Sequence, residues 1–279
     1  PWLIRSNSNN PPFYWQRSML YTIKIFNIQL LKFNYIVLNL MLAVLFPGQG
    51  SQYVGMCSDF YEKFDIVKNI FNSIDKTLGF SLSNLILNGP ETELKLTQNT
   101  QPAIMAVGVS IFNVLNQEFG LNLKNAKFFA GHSLGEYTAL VCAGSLTVES
   151  AAHLLHERGK SMQDAVPLGE GAMLAVLGML FNEVEEEINL VKNNGICEIA
   201  NDNSNGQIVI SGNKKAIEIL HENLKKKRKK GIILPVSAPF HCSLMKKAAV
   251  AMKNKINASN FLMPKPSIIS NVTAKEEND

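Results

Sequence analysis

An apolar run that leads directly into a Gly-x-Ser-x-Gly pentapeptide restricts the fold of this chain more than any other feature. The sequence KFFAGHSLGEYTALVCAG, residues 127–144, predicts a short strand, a tight turn around Ser133 and a helix. Gly131 and Gly135 permit the crowded backbone of such a turn, and the serine hydroxyl is then exposed at a helix N-terminus that favours an oxyanion. The pattern predicts a nucleophilic serine, although a helix-capping serine fits the pentapeptide alone equally well.

The remainder of the chain repeats the order strand, loop and helix, which is typical of an α/β fold. LAVLF (42–46) predicts a buried strand ended by the glycine-rich turn PGQGSQ, and SIISNV (267–272) predicts a strand near the end of the chain. We therefore predict a large α/β-hydrolase-like domain with a parallel sheet, formed by residues 41–170 and 236–279.

Residues 101–119 predict a largely buried helix within this domain. Thr100 is the expected N-cap, Pro102 falls in the first turn, and Gly120 can end the helix. Further helices are expected over 148–166 and 241–256.

The segment 171–235 has a different character and predicts a second unit. Its apolar and charged runs follow the order β-α-β-β-α-β, which is the ferredoxin-like pattern. We predict that this α+β subdomain is inserted in the larger domain. Its basic run KKKRKK (225–230) is interpreted first as a solvated helix end; attraction of an acidic partner and nucleic-acid binding are the alternatives.

The net charge of +4 gives no support to nucleic-acid binding. Residues 1–40 contain four cations and no acidic residue, and without them the remaining 23 Lys and Arg equal the 23 Asp and Glu. We interpret residues 1–40 as an extension that is not part of the fold, with an organelle transit peptide as the alternative. The apolar residues near position 41 are too few to span a bilayer, so no membrane segment is expected.

The four cysteines are scattered, without a Cys-x-x-Cys pair or metal-ligand spacing. This usage predicts reduced thiols in a cytoplasmic protein, or in an organelle matrix if the extension is a transit peptide, and no metal site.

A serine hydroxyl needs a neighbouring base before it becomes a good nucleophile. His132 is adjacent to Ser133, but neighbouring residues on such a turn point in different directions. Of the remaining histidines, three lie within predicted helices, whereas His241 follows a strand and opens a helix. We therefore favour His241 as the base.

Several motifs together resemble the malonyl-CoA:acyl carrier protein transacylases. FPGQGSQYVGM, GHSLGEYTALVCAG, ERGKSMQDAV and VSAPFHCSLM occur in the order and approximate spacing of that family, and TQPAI, NGQIVISG and SNVTA fit the same pattern. The resemblance covers residues 41–274.

This resemblance implies an acyl transfer site. Ser133 would be the acylated nucleophile and His241 its general acid and base, with the N–H groups of Gln49 and Leu134 as the oxyanion hole. Arg158 would pair with the free carboxylate of the malonyl group. In related polyketide synthase domains, a phenylalanine at the place of Phe240 goes with malonyl rather than with α-branched units.

The resemblance also implies substrates and partners. Malonyl-CoA would donate the malonyl group to the phosphopantetheine thiol of an acyl carrier protein by a ping-pong exchange, with no cofactor, in fatty-acid biosynthesis. We expect a monomer that binds CoA and the carrier protein. An acyltransferase domain of a polyketide synthase and a serine esterase or lipase are the alternatives.

The family continues for several tens of residues beyond the position that matches Asp279. In relatives that segment completes the sheet and supplies a backbone carbonyl that orients the catalytic histidine. We therefore expect the domain to be incomplete at its C-terminus and the 279-residue chain to turn over malonyl-CoA weakly or not at all.

Overall fold

The structure, a computed structural model, describes residues 42–236 and 238–277 and has a mixed α/β architecture. The strands are β1 (Ala43–Phe46), β2 (Phe128–Gly131), β3 (Gly171–Leu177), β4 (Cys197–Ser204), β5 (Gln207–Asn213), β6 (Lys230–Ile233), β7 (Ser267–Ile269) and β8 (Glu276–Glu277). The α-helices are α1 (Ser58–Lys63), α2 (Asp65–Leu78), α3 (Leu82–Asn88), α4 (Glu91–Leu94), α5 (Thr97–Gln117), α6 (Gly135–Cys142), α7 (Val148–Asp164), α8 (Phe181–Val191), α9 (Lys214–Lys226) and α10 (Lys246–Asn257). The extension predicted for residues 1–40 lies outside the described residues.

The larger sheet has the strand order β1-β2-β7-β8. β1, β2 and β7 are parallel, and β8 pairs antiparallel with β7. The predicted α/β class with a parallel sheet is therefore confirmed. Because parallel strands end at the same edge of a sheet, the loops after β1, β2 and β7 come together there.

The long helix α5 begins earlier than predicted. It starts at Thr97 rather than near residue 101, so the prediction of Thr100 as N-cap is wrong. The Thr100 hydroxyl instead donates to the Leu94 carbonyl at 2.6 Å from a fully buried position. The predicted end is close to the observed one, because the helix finishes at Gln117 and Gly120 has a φ of +64°.

Pro102 lies inside α5 and explains how the neighbouring helix α7 is attached. Proline has no N–H, so the Gln98 carbonyl one turn earlier receives no helical hydrogen bond from it. His156 of α7 contacts that carbonyl through Nδ1 at 3.0 Å. At Gly159 the two helices approach so closely that a Cβ would lie 2.5 Å from Gln98 Cα. These two contacts fix the position of α7, which carries Arg158.

The second sheet has the order β4-β5-β3-β6, and all its pairings are antiparallel. One apolar cluster packs α8 and α9 against this sheet; its fully buried members are Leu174, Val191, Ile210, Ala216, Ile217 and Leu220. A different cluster joins residues of the sheet with α7 and α10, and includes Met162, Met173, Val209, Phe240 and Met245. The small sheet is therefore packed against the residues that directly precede His241.

The basic run 225–230 does not form one solvated helix end. α9 stops at Lys226, and the last lysine of the run begins β6. Lys227 and Lys229 form ion pairs with Glu187 and Glu183 of α8. The interpretation as a helix terminus is therefore only partly correct, because two of the cations join α8 to the segment after α9.

Within residues 42–236 and 238–277, no helix is long and apolar enough to cross a membrane. In the same residues, no three His, Cys, Asp or Glu side chains are grouped in a way that could hold a metal ion.

Candidate active site

Ser133 lies on a turn that only its flanking glycines allow. A Cβ on Gly131 would lie 1.9 Å from the carbonyl carbon of Gly135, and a Cβ on Gly135 would lie 2.4 Å from the Phe46 carbonyl oxygen. Ser133 itself has a φ of 53°, in the left-handed region. Such a conformation costs about 1–3 kcal/mol for a residue other than glycine and is characteristic of functional sites. The strain therefore falls on the serine, while the glycines give it room.

The loop after β1 packs directly against this turn. The Phe46 carbonyl accepts a hydrogen bond from the His132 N–H at 3.0 Å, and a Cβ on Gly48 would lie 2.5 Å from His132 Nδ1. Gln49, the next residue, reaches Thr97 with its side-chain amide at 3.5 Å. Leu134 is buried at the N-terminus of α6. Of the two residues expected to form the oxyanion hole, Leu134 directly follows Ser133 in the chain. Gln49 follows Gly48, which packs against His132 of the serine turn.

His241 approaches Ser133 from the segment between β6 and α10. Its Nε2 lies 3.0 Å from Ser133 Oγ, although the two residues are 108 positions apart in the chain. Its φ of 60° is also left-handed. Desolvation, followed by the proximity of Arg158 and of His132, lowers the pKa of His241 from 6.5 to about 4. The residue as a whole is exposed, and the lowered pKa keeps its imidazole neutral at pH 7, as a proton acceptor must be.

Arg158 contacts the same hydroxyl from α7. Its Nη2 donates to Ser133 Oγ at 3.0 Å, and its Nη1 donates to the side-chain oxygen of buried Gln101 at 2.7 Å. The guanidinium also lies over the Tyr137 ring at 5.9 Å. Desolvation lowers the pKa of Arg158, but a guanidinium stays charged in proteins. A fixed positive charge therefore lies at the candidate nucleophile.

Asn271 fastens the serine turn from the end of β7. Its side-chain oxygen accepts the Ser133 N–H at 2.9 Å, and its side-chain amide donates to the Gly131 carbonyl at 2.6 Å and to Glu136. Its backbone N–H donates to the same Glu136 carboxylate at 2.9 Å. One side chain thus bonds the backbone before and at the candidate nucleophile.

Two of the residues considered from the sequence lie apart from this hydrogen-bonded group. Phe240 is 6% exposed and packs in the apolar cluster with Met162 and Met173. His132 directs its Nε2 to the Asn203 side chain at 3.2 Å, which agrees with the preference for His241 as the base.

Comparisons with known proteins give the family of this chain. Residues 44–279 match the acyl transferase domain. The malonyl CoA-acyl carrier protein transacylase of Bacillus subtilis is 43% identical over 235 residues, which are 84% of this chain and 73% of that protein. The chain belongs to the malonyl CoA-acyl carrier protein transacylase family. The predicted family membership and acyltransferase class are confirmed.

Solved structures of transacylases support the same assignment. The acyl-carrier-protein-S-malonyltransferase of Bartonella henselae has a TM-score of 0.82 and 46% identity, over 86% of this chain and 77% of that one. A malonyl-transacylase in complex with a type II PKS acyl-carrier protein has a TM-score of 0.81 and 39% identity, over 85% of this chain and 76% of that one.

In this transacylase-family site, the structure brings together three residues that the sequence had singled out separately: Ser133, His241 and Arg158. Sequence reasoning missed Gln101 and Asn271. Both lie in short motifs that had been noted, TQPAI and SNVTA, so a signal was present, but nothing in those motifs shows which side chain points to the serine.

Proposed function

We propose that this chain transfers a malonyl group from malonyl-CoA to the phosphopantetheine thiol of an acyl carrier protein through an ester on Ser133. The observation that carries this proposal is the double contact of Ser133 Oγ, which lies 3.0 Å from His241 Nε2 and 3.0 Å from Arg158 Nη2. A neutral imidazole can take the hydroxyl proton, and a guanidinium can hold a carboxylate.

The first half-reaction loads the serine. His241 Nε2 accepts the proton of Ser133, and Oγ attacks the thioester carbonyl of malonyl-CoA. The N–H groups of Gln49 and Leu134 are proposed to donate to the resulting oxyanion. The C–S bond then breaks, and His241 returns the proton to the CoA sulfur.

The second half-reaction repeats these steps with a different thiol. His241 takes the proton of the phosphopantetheine thiol, whose sulfur attacks the malonyl ester, and the departing Ser133 oxygen recovers the proton. All the atoms required are those of the two substrates and this chain, and we propose that no cofactor participates.

Selection of malonyl is assigned to Arg158. The free carboxylate of a malonyl ester lies one methylene beyond the carbonyl attached to Ser133 Oγ, within reach of a guanidinium that already contacts Oγ. Gln101 holds the other side of the guanidinium, which orients the charge. Selection against α-branched groups by Phe240 remains a prediction; its burial beside His241 is consistent with a role in shaping the site.

The cellular setting follows the relatives. We propose an acyl carrier protein of fatty-acid biosynthesis as partner, a cytoplasmic location and a monomeric enzyme without nucleic-acid or membrane partners. Support for the carrier protein comes from the names of the curated relatives and from the relative solved in complex with one. Because that carrier belongs to a type II PKS, polyketide synthesis is the second candidate; comparing transfer rates to the two kinds of carrier protein separates them.

We further infer that residues 171–235 are a ferredoxin-like subdomain inserted in an α/β-hydrolase-like domain of residues 41–170 and 236–279. The element order β3-α8-β4-β5-α9-β6 and the antiparallel order β4-β5-β3-β6 support the first part. The parallel strands and the serine turn between β2 and α6 support the second.

Intact-protein mass spectrometry after mixing with malonyl-CoA tests the proposal. We expect a malonyl adduct that peptide mapping places on Ser133 and that is absent in Ser133→Ala. This measurement detects a single loading event and so does not require sustained turnover. An unmodified wild-type protein with an intact fold contradicts the proposal.

An esterase would share the serine and the histidine. It would cleave uncharged esters, whereas the proposed enzyme prefers an acyl group with a free carboxylate. Faster hydrolysis of an uncharged acetyl ester than loading from malonyl-CoA would favour the esterase.

A further inference from the structure

The segment that carries His241 is bound to the small sheet at several points. We call residues 238–243 the histidine loop. The Ser243 N–H donates to Glu198 Oε2 at 2.7 Å, and the Ser243 hydroxyl donates to Glu198 Oε1 at 2.7 Å. Both carboxylate oxygens of one β4 residue are thus used on one residue of the loop. Two charge-assisted bonds from one planar group fix direction as well as distance.

A second contact holds the other end of the histidine loop. A Cβ on Gly171, the first residue of β3, would lie 2.3 Å from the ring of Pro239. β3 and β4 belong to the same antiparallel sheet, with β5 between them. The loop therefore packs against or bonds to that sheet on both sides of His241.

The left-handed backbone of His241 needs support from its surroundings. Its φ of 60° is unfavourable for a residue with a side chain and persists only where the surroundings hold it. Ser243 is two residues away, so loss of its anchor releases the loop close to the strained position.

β4 also contacts the serine side of the site. Asn203, near the end of this strand, lies 3.2 Å from His132 Nε2 through its side-chain oxygen, and His132 precedes Ser133. The same strand therefore bonds to the histidine loop through Glu198 and to the serine turn through Asn203. Ser133 itself follows a strand of the larger sheet.

We propose that Glu198 is a positioning residue that sets the place of His241 relative to Ser133. Its carboxylate holds Ser243 and through it the histidine loop, so that the small sheet determines the distance between the two reacting groups. The inference rests on the proposed function of Ser133 and His241, because it concerns the rate of their reaction.

Single-turnover loading of Ser133 from malonyl-CoA, followed by quench-flow and mass spectrometry, tests this role. Glu198→Ala removes both acceptors, and we expect the loading rate at saturating malonyl-CoA to fall about 10- to 100-fold, as for a small misplacement of a reacting group. The half-saturating concentration is expected to stay within about twofold, because the Arg158 guanidinium donates to Gln101 and Ser133, which lie outside this loop.

Glu198→Gln distinguishes position from charge. A glutamine can accept the Ser243 N–H with its oxygen and donate to the Ser243 hydroxyl with its amide, so we expect at least about a third of the wild-type rate. Glu222→Ala, which removes a surface glutamate paired with Lys225 on α9, is the matched control and is expected to load at the wild-type rate.

A second measurement does not depend on activity and so tests the position of His241 even if a variant loses its loading activity for another reason. NMR titration of the His241 ring in wild type is expected to show a pKa well below 6.5, first because the protein desolvates the ring and then because Arg158 and His132 disfavour its charged form electrostatically. In Glu198→Ala the released ring is expected to titrate closer to 6.5, while the thermal midpoint of Glu198→Gln stays near that of wild type.

The outcomes separate the two proposals. Absence of a Ser133 adduct in folded wild type overturns the proposed function. In that case the NMR titrations of wild type and Glu198→Ala still test whether Glu198 holds His241 in place. A wild-type adduct with an unchanged loading rate in Glu198→Ala overturns the positioning role. Equal losses in the alanine and glutamine variants also overturn it, since the charge rather than the attachment would then matter.

Discussion

Replacement of Asn271 by alanine is expected to slow the loading of Ser133 by about tenfold. The side chain of Asn271 bonds to the Ser133 N–H, to the Gly131 carbonyl and to Glu136. The backbone N–H of Asn271 also bonds to Glu136, and this bond survives the substitution and keeps the chain after β7 in place. The variant therefore tests the side chain alone.

The size of the effect follows from two opposing quantities. The two bonds to backbone groups contribute about 0.5–1.5 kcal/mol net each and the bond to the Glu136 carboxylate about 1.5–3 kcal/mol, so the three together contribute about 2.5–6 kcal/mol. The left-handed conformation of Ser133 costs about 1–3 kcal/mol. When the Asn271 side chain is removed, part of the population relaxes from the left-handed conformation of Ser133. If the free-energy cost of returning to the reactive conformation is about 1.4 kcal/mol, the loading rate falls tenfold.

Quench-flow loading from malonyl-CoA measures this directly. Asn271→Asp is expected to be slower than Asn271→Ala, because a second carboxylate oxygen would face the Gly131 carbonyl and Glu136 where an amide now donates. Asn88→Ala is the control, since the Asn88 side chain donates to Asn84 on the surface of α3, outside the site. If the loading rate of Asn271→Ala is within twofold of that of Asn88→Ala, the reactivity of the Ser133 hydroxyl does not depend on the Asn271 side-chain bonds and the reasoning fails.

Three further predictions concern Arg158 as a clamp for the malonyl carboxylate, the pKa of the proposed base His241, and the turn around Ser133. Arg158→Ala is expected to slow malonyl loading about 10- to 100-fold more than acetyl loading, since only malonyl has a carboxylate; equal losses in paired assays contradict the clamp. Between pH 5.5 and 7.5 the loading rate is expected to change less than about twofold, because His241 with a pKa of about 4 stays neutral throughout this range. With the ordinary pKa of about 6.5, the neutral fraction and the rate would fall about tenfold from pH 7.5 to pH 5.5. Gly131→Ala is expected to lower the free energy of unfolding by more than about 3 kcal/mol, because its Cβ meets backbone. Gly144→Ala is expected to lower it by about 1–2 kcal/mol, because Gly144 has a φ of +76° but a Cβ there meets no described residue within 4 Å apart from its chain neighbours; equal losses in urea unfolding refute this.

The sequence was sufficient for the parts of the site that are local. The strand, turn and helix around Ser133 follow from adjacent residues, and the glycines at 131 and 135 are required for contacts within or next to the turn. The choice of His241 over His132 followed from its place between a strand and a helix, and the structure brings it to 3.0 Å from the hydroxyl.

Contacts that depend on the parallel sheet were beyond sequence reasoning. Asn271 lies 138 residues after Ser133 and reaches it only because β7 pairs beside β2. In the same way, Gln101 meets Arg158 only because α5 and α7 are packed together, and the spacing of 57 residues contains no signal of that pairing.

Helix boundaries and one whole region were also missed. Threonine is a common N-cap residue, but Thr100 is buried inside α5, which already begins at Thr97, and its hydroxyl donates to the Leu94 carbonyl. No element was predicted between residues 53 and 100, where α1 to α4 lie. In α2 the buried residues Val67, Phe71 and Ile74 repeat at helical spacing, so that helix could have been predicted from its period.

The proline inside α5 bears on the specificity of the enzyme for its substrate. Any other residue at position 102 would bring an N–H that competes for the Gln98 carbonyl, which His156 contacts. Arg158 is two residues beyond that histidine on the same helix. We expect the carbonyl that the proline leaves free to help set the position of α7, and with it that of Arg158, the residue to which malonyl binding is assigned in the proposed function.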